Sequence, residues 1–361
     1  MNAALASRGS GFRQDDEPYS LSVIVPNRND AQYLTRCIES VVSQDMPPDE
    51  FIILDDESTD NSVEVISRAI RGYSFARLVI NPKNLGGGGV GNANEGLRLA
   101  RSKFVYFLGA NDFVLPGFFA RIKAGLTMFP HTGLWSAMVW LADEDGNYIR
   151  MHPSPVVSLS DRFFQPTECR DMMRSIGNWL TGQTTVYRRE ALVEAGGFDA
   201  SLKALCDLLA AHVVASRYGA AFSPRPLAVM RIHRGAFLVN TLGDGALLDS
   251  ILSDISNRGP RVEPALFTTE MLERTRLRFY FASLRLSKGA TLQHVAAACG
   301  PMRRWALSLI NTVPAVLGSV RTGLYFLVMR PFDILPTFWY RLLGASLVSL
   351  REKSAGRVPP T

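Results

Sequence analysis

Cysteine is scarce in this 361-residue chain, and Cys37, Cys169, Cys206 and Cys299 form no C-x-x-C and no short pair. That spacing excludes a disulfide framework and a structural zinc site, and it predicts reduced thiols. Long hydrophobic runs are missing too. The most apolar stretch, Trp305 to Leu350, is broken by Pro314, Arg321, Arg330, Pro331, Asp333, Pro336 and Arg341. It never reaches the ~20 uninterrupted apolar residues of a membrane-spanning helix. Residues 1–19 hold no apolar core of the kind a secretory signal needs and read as a disordered lead-in. No internal repeat is present. Excess charge is absent from most of the chain. The net charge is +6, and from Gly300 onward eight basic residues (Arg303, Arg304, Arg321, Arg330, Arg341, Arg351, Lys353, Arg357) face two acids (Asp333, Glu352), so the first 299 residues sum to zero. A neutral body excludes a nucleic-acid partner. With 47% hydrophobic and 20% charged residues, the chain can bury a sizeable core.

What is present is an alternation. Leu21 to Pro26 and Phe51 to Leu54 are short β-branched, apolar runs that predict buried strands. Leu78–Ile80 and Phe104–Leu108 predict two more. Between them, Tyr33, Leu34, Cys37, Ile38, Val41 and Val42 recur at helical spacing behind a candidate N-cap, Asp30. Val63 to Ile70 and about Asn92 to Arg101 predict further helices. Strand and helix alternating four times predict an α/β domain with a mostly parallel sheet. Later candidates are strands at Leu134–Leu141, Gln183–Tyr187 and Phe222–Ile232, the last interrupted by prolines, and a helix at Asp207–Tyr218. From about residue 239 the pattern is helical. Between about 303 and 350 it predicts two or three amphipathic helices lying in a membrane interface, with Trp305, Trp339 and Tyr340 as anchors. The alternative is a helical subdomain packed on the body.

Ligands of an open α/β sheet bind beyond the carboxyl ends of its strands. There the sequence places Pro26-Asn27-Arg28-Asn29-Asp30, Asp55 to Asp60, Asn84 with Gly86 to Gly91, and Gly109-Ala110-Asn111-Asp112. Turn and cap preference explains any one of these loops. Four polar loops at one edge suit a nucleoside and a hard divalent cation. Gly86, Gly88 and Gly91 also fit G-x-G-x-x-G, which opens an NAD(P)-binding alternative. Against it, the run follows the third strand and not the first.

Taken together, S-V-I-V-P-N-R-N-D, D-D-E-S-T-D-N-S, F-L-G-A-N-D-F-V-L-P-G, Arg188-Arg189, Gly196-Gly197-Phe198-Asp199, Asp207 with Arg217-Tyr218-Gly219, and Arg231-Ile232-His233 resemble the family-2 glycosyltransferases. The resemblance spans about residues 20–238 and implies a GT-A fold, the Rossmann-like α/β fold of nucleotide-diphospho-sugar transferases. Residues 239–361 match nothing in it. It implies a donor site at Pro26, Asn27, Asn29, Asp55, Asp56, Asn94 and Asn111, and a Mg²⁺ or Mn²⁺ ion held by Asp112 with His233. Gly109 and Asn111 stand where the family's metal motif has acids, and Cys206 replaces the glutamate of its E-D pair. Asp207 matches the aspartate of that pair and is the expected general base.

The expected activity is inverting transfer of a sugar from a nucleotide-diphosphate sugar, most simply a UDP-sugar, to a hydroxyl of a glycan or lipid-linked acceptor. Acceptor contacts are expected from Trp179, Gln183 and Thr184. The tail implies a cytoplasmic enzyme peripheral on the inner membrane face, in a polysaccharide or lipid-carrier pathway. A different reading is a member that binds its sugar nucleotide without turning it over, given the changes at 109, 111 and 206.

Overall fold

The computed structural model describes residues 19–233, 237–286, 295–296 and 298–354. The expected lead-in therefore lies almost wholly outside the described residues. One ten-stranded mixed sheet organises the chain. Its first half is parallel: β3 (Ala76–Ile80), β2 (Glu50–Asp55), β1 (Leu21–Asn27) and β4 (Phe104–Phe107) lie side by side. Next come β9 (Val186–Arg188), β6 (Leu134–Ala142), β10 (Ala220–Arg231) and β5 (Phe113–Val114). β7 (Tyr148–Met151) pairs with β6, and β8 (Arg162–Phe164) with β10.

Period-2 alternation sorts the strand residues between two faces. Ile24, Ile52, Leu54 and Val105 pack into one core with α3 (Val90–Leu99) and α7 (Cys206–Tyr218). Val23, Val25, Phe51, Ile53 and Tyr106 pack into the other, with α1 (Ala31–Val42), α2 (Ser62–Ala69) and α4 (Phe118–Met128). Burial on both faces explains the near-continuous apolar runs of these strands. β10 is one strand, and its ladder slips between Ser223 and Ala228, where Pro224 and Pro226 withhold donors. The expected strand at Gln183–Tyr187 divides into a 3₁₀ turn, Gly182–Thr184, followed by β9. Asp30 makes no side-chain cap on α1; the Ala31 N–H is taken instead by Asp60 Oδ2 at 3.1 Å.

The helical region is continuous with the body. Residues of α9 (Gly245–Val262), α10 (Thr269–Leu286), α11 (Pro301–Asn311), α12 (Gly318–Met329) and α13 (Gly344–Ser354) join the same core as Ile24 and Val105. Buried Asp333 clamps it, accepting from Arg278 Nη2 at 2.8 Å and from Arg330 Nε at 2.7 Å. These helices therefore pack inward on one side, as in the subdomain alternative. Their other side stays open, with Trp305 69% and Trp339 56% exposed. Among the described residues no helix is long and apolar enough to cross a membrane.

Candidate active site

The loops after β1 and β2 are bound into one unit. Asn27 Nδ2 donates to Asp55 Oδ1 at 2.8 Å, and the Ser58 N–H donates to Asp55 Oδ2 at 3.0 Å. The Asn29 N–H reaches the Ser58 hydroxyl at 3.0 Å, while Asn29 Oδ1 accepts the Thr59 N–H at 2.7 Å. Asn29 and Glu57 both sit at positive φ (58° and 62°), a strained conformation that clusters at functional loops. Asp56 gathers the next loop, accepting from Asn81 Nδ2, Asn84 Nδ2 and the Leu85 N–H. Asp55 and Asp56 are both buried, so they shape these loops from beneath. Pro26 lies next to Asn27 at the end of β1, and Asn27 Oδ1 is buried without a partner.

Gly86 to Gly89 all have positive φ, which only glycine adopts freely. A Cβ at Gly87 would meet Ala200 and one at Gly88 the Phe237 ring, so two of these close approaches are to the chain itself. Asn94 also departs from expectation. Its amide closes on the backbone of Phe198, donating to the carbonyl at 2.7 Å and accepting the N–H at 3.0 Å. It holds the Gly196-Gly197-Phe198 turn on α3, and both ends of its amide are taken.

Asp112 is buried, and its Oδ1 accepts the Arg231 N–H at 2.9 Å. Burial pushes its carboxyl up to about 7, opposed by that N–H, by the Arg231 charge and by the Gln183 side chain. Asn111 Nδ2 and His233 Nε2 lie 2.9 Å apart beside it. Arg231 donates to the Asn111 carbonyl, and its guanidinium stands 5.2 Å from the Tyr33 ring centroid and 5.1 Å from that of Phe113.

Asp207 opens α7 and accepts the Leu208 N–H at 2.7 Å. Burial pushes its carboxyl up to about 6, so it is mostly ionised at neutral pH and still basic. It rests on the 3₁₀ turn: a Cβ at Gly182 would lie 2.3 Å from Asp207 Oδ2. Gln183, the next residue, has its side chain near Asp112, where it favours the carboxylate, and accepts the Tyr106 hydroxyl at 2.6 Å with its carbonyl. The turn is rigid because the Thr181 and Thr184 hydroxyls both bond the Ala137 carbonyl of β6, at 2.8 and 2.7 Å. Thr184 is thus a fully buried brace and not an acceptor contact. Trp179 is core as well, edge-on to Phe164 and Phe222. Of the three expected acceptor residues only Gln183 reaches the site. Gly182 carried no sequence signal, because what requires a glycine there is a carboxylate on another element.

Among the described residues no three His, Cys, Asp or Glu side chains gather around one point. The donors that do meet are one carboxylate (Asp112), one amide (Asn111) and one imidazole (His233). That set fits a hard divalent cation whose remaining ligands and charge come from a diphosphate.

Residues 22–194 match the model of glycosyl transferase family 2. They form a family-2 glycosyltransferase domain. The protein MT1568 of Mycobacterium tuberculosis is 27% identical over 218 residues, 58% of this chain and 66% of its own. The glycosyltransferase YibD of Escherichia coli is 38% identical over 96 residues, 27% of each chain. This chain thus spans less than two thirds of either relative. Among solved structures, S. aureus TarS 1–349 in complex with UDP-GlcNAc superposes with a TM-score of 0.55 at 17% identity, covering 95% of this chain and 93% of that one. The mannosyltransferase PcManGT from Pyrobaculum calidifontis, in complex with GDP-Man and Mn²⁺, gives 0.50 at 18% identity over 97% and 92%. The family-2 transferase domain thus has the GT-A fold, and the dinucleotide alternative falls away.

Proposed function

We propose that the chain transfers a sugar, with inversion, from a nucleotide-diphosphate sugar to a hydroxyl of a glycan or lipid-linked acceptor. The observation that carries this is the single turn, Gly182–Thr184, with Asp207 against its Gly182 and Asp112 near its Gln183 side chain. A transfer that displaces a diphosphate from one side of the anomeric carbon needs a base on the other. Asp207 takes the acceptor proton. Asp112 stands at the diphosphate, with His233 and Asn111 beside it, and the buried Arg231 holds their loop by the Asn111 carbonyl. Mg²⁺ or Mn²⁺, bound by Asp112, Asn111 and His233, would supply positive charge to the departing diphosphate. The nucleoside lies over Pro26, Asn27 and Asn29, on loops that Asp55 and Asp56 hold in shape. A UDP-sugar is the favoured donor, since TarS, of the same fold, was solved with UDP-GlcNAc.

The test is release of nucleoside diphosphate from a panel of UDP-, GDP- and dTDP-sugars, with and without Mn²⁺, alongside thermal shift by the same compounds. Turnover with one donor is expected. Stabilisation by a donor without turnover across a glycan and lipid-acceptor screen would favour a binding protein that does no chemistry.

A further inference from the structure

The helical run after residue 334 builds a groove that the transferase chemistry does not use. Its volume is about 530 Å³, within the usual ~300–1,000 Å³ of a ligand site. One wall is Val156 to Leu159; the other carries Leu335, Trp339, Leu343 and Leu347. The walls are pinned along their length. The Val156 N–H donates to the Tyr340 carbonyl at 2.6 Å, Arg341 Nη1 to the Pro153 carbonyl at 2.9 Å, and Arg351 Nη1 to the Leu159 carbonyl at 3.0 Å. Gly344 packs so close on Val156 that a Cβ would lie 2.8 Å from it. Thr337–Leu343 winds as a π-helix, a rare form often found at functional sites, and it turns Phe338, Trp339 and Leu342 outward. A narrower hollow continues from Leu159 and Leu347 to Pro224, Arg225 and Arg351.

The charge around the groove selects its occupant. Both acids between 300 and 354 are buried, Asp333 at 1% and Glu352 at 4% exposure. The open side of the run therefore shows cations only, with Arg351 at the end of the groove and Lys353 beyond, while Arg341 lies half-buried at mid-run on the Pro153 carbonyl. Exposed apolar side chains flanked by cations complement an anionic lipid surface, and the one acid of the adjoining hollow, Glu352, is buried. Distance separates this lipid from the acceptor. Arg225 lies six residues before Arg231 on β10, which at ~3.3 Å per residue is about 20 Å from the catalytic edge.

We propose that the groove seats the acyl chain of an anionic bilayer phospholipid, its phosphate at the Arg351 end, and that this seat holds the enzyme on a membrane surface. The test is flotation of the full chain with phosphatidylcholine vesicles, with and without phosphatidylglycerol, at low and high salt. Two variants go with it. Leu343→Asp/Leu347→Asp alters exposed groove positions, and Arg351→Gln/Lys353→Gln removes cations. Wild type is expected to float with the anionic vesicles and to be released by salt. The charge variant should bind about 25-fold more weakly, on the order of fivefold per cation. The groove variant should not float, and both should keep the wild-type donor-induced shift. Three results would overturn the proposal. They are flotation unchanged in the groove variant, equal flotation with neutral vesicles, and a concentration-dependent wild-type dimer that Leu343→Asp/Leu347→Asp dissolves, which would make the occupant a second copy. Failure of the transferase reading would leave these binding results untouched, so the two stand apart.

Discussion

Gly182→Ala tests the base assignment through geometry alone. Gly182 has an ordinary negative φ, so alanine fits its backbone conformation without strain. What the methyl meets is Asp207 Oδ2, 2.3 Å away where ordinary contact begins near 3.4 Å. The turn cannot yield easily, because Thr181 and Thr184 fasten it to Ala137. The carboxylate must therefore move by about 1 Å or rotate and give up the Leu208 N–H. A 1 Å misplacement of a catalytic group costs on the order of 10²-fold in rate, or about 2.7 kcal/mol. Steady-state transfer with the donor found in the panel should show kcat down about 100-fold. Donor affinity by calorimetry should stay within about twofold, since the uncharged methyl lies at the base and not at the nucleotide. Near-wild-type kcat would refute the claim that Asp207 performs proton removal from this position. A parallel loss of donor binding would place Asp207 on the nucleotide side.

Asp207→Asn should lower transfer by ~10²-fold while leaving donor binding unchanged, the scale of losing a general base; wild-type kcat should fall on acidification with a midpoint near the raised value of about 6. Because the folded carboxyl holds its proton more tightly than an ordinary Asp (3.8), native stability drops as pH rises from about 4 through 6, and Asp207→Asn escapes that drop. Its melting temperature should therefore exceed wild type at pH 8, with the advantage gone near pH 4; no crossover would mean Asp207 is not strained by burial. Asp112→Ala should abolish turnover and any Mn²⁺-dependent donor shift, and Asn111→Asp should tighten Mn²⁺, both read by calorimetry with Mn²⁺ and nucleoside diphosphate. Asp333→Ala leaves Arg278 and Arg330 buried without their carboxylate and should cost about 3–5 kcal/mol in urea unfolding; a loss under 1 kcal/mol would show that the C-terminal helices are not part of the cooperative core.

The parallel half of the sheet was legible because strands buried on two faces leave an unbroken apolar signature, as in Leu21–Val25 and Phe51–Leu54. β5 and β8 were not, because two or three residues become a strand only by pairing with β10, which lies far away in sequence. The same limit governs the site. Asp112 and Asp207 could be singled out from their motifs, but the turn that spaces them could not. The reason for Gly182 is a carboxylate on α7, and the reason for Thr184 is a carbonyl on β6. Trp179 and Asn94 erred in the other direction. An aromatic or amide near a motif is available to a ligand only if tertiary packing leaves it so, and here Phe222 and Phe198 claim them first. Asp30 gave up its cap to Asp60 for a similar reason, since two loops folding together offer donors that neither shows alone.

The acids at this sheet edge divide by how far the protein has already filled their lone pairs. Asp55 and Asp56 accept two and three hydrogen bonds from side chains and backbone of neighbouring loops, and their charge is spent on architecture. Asp112 is buried nearly as deeply and Asp207 is half-buried, and both are less well supplied, with one backbone N–H each in direct contact and Gln183 near Asp112. Burial without full compensation raises a carboxyl's proton affinity, which is what a base needs and what a cation or a departing diphosphate's counter-ion would relieve. In the proposed mechanism the chemistry falls to these two under-bonded acids. In that mechanism this difference, more than the number of acids in the loops, is what makes Gly109 and Asn111 compatible with transfer.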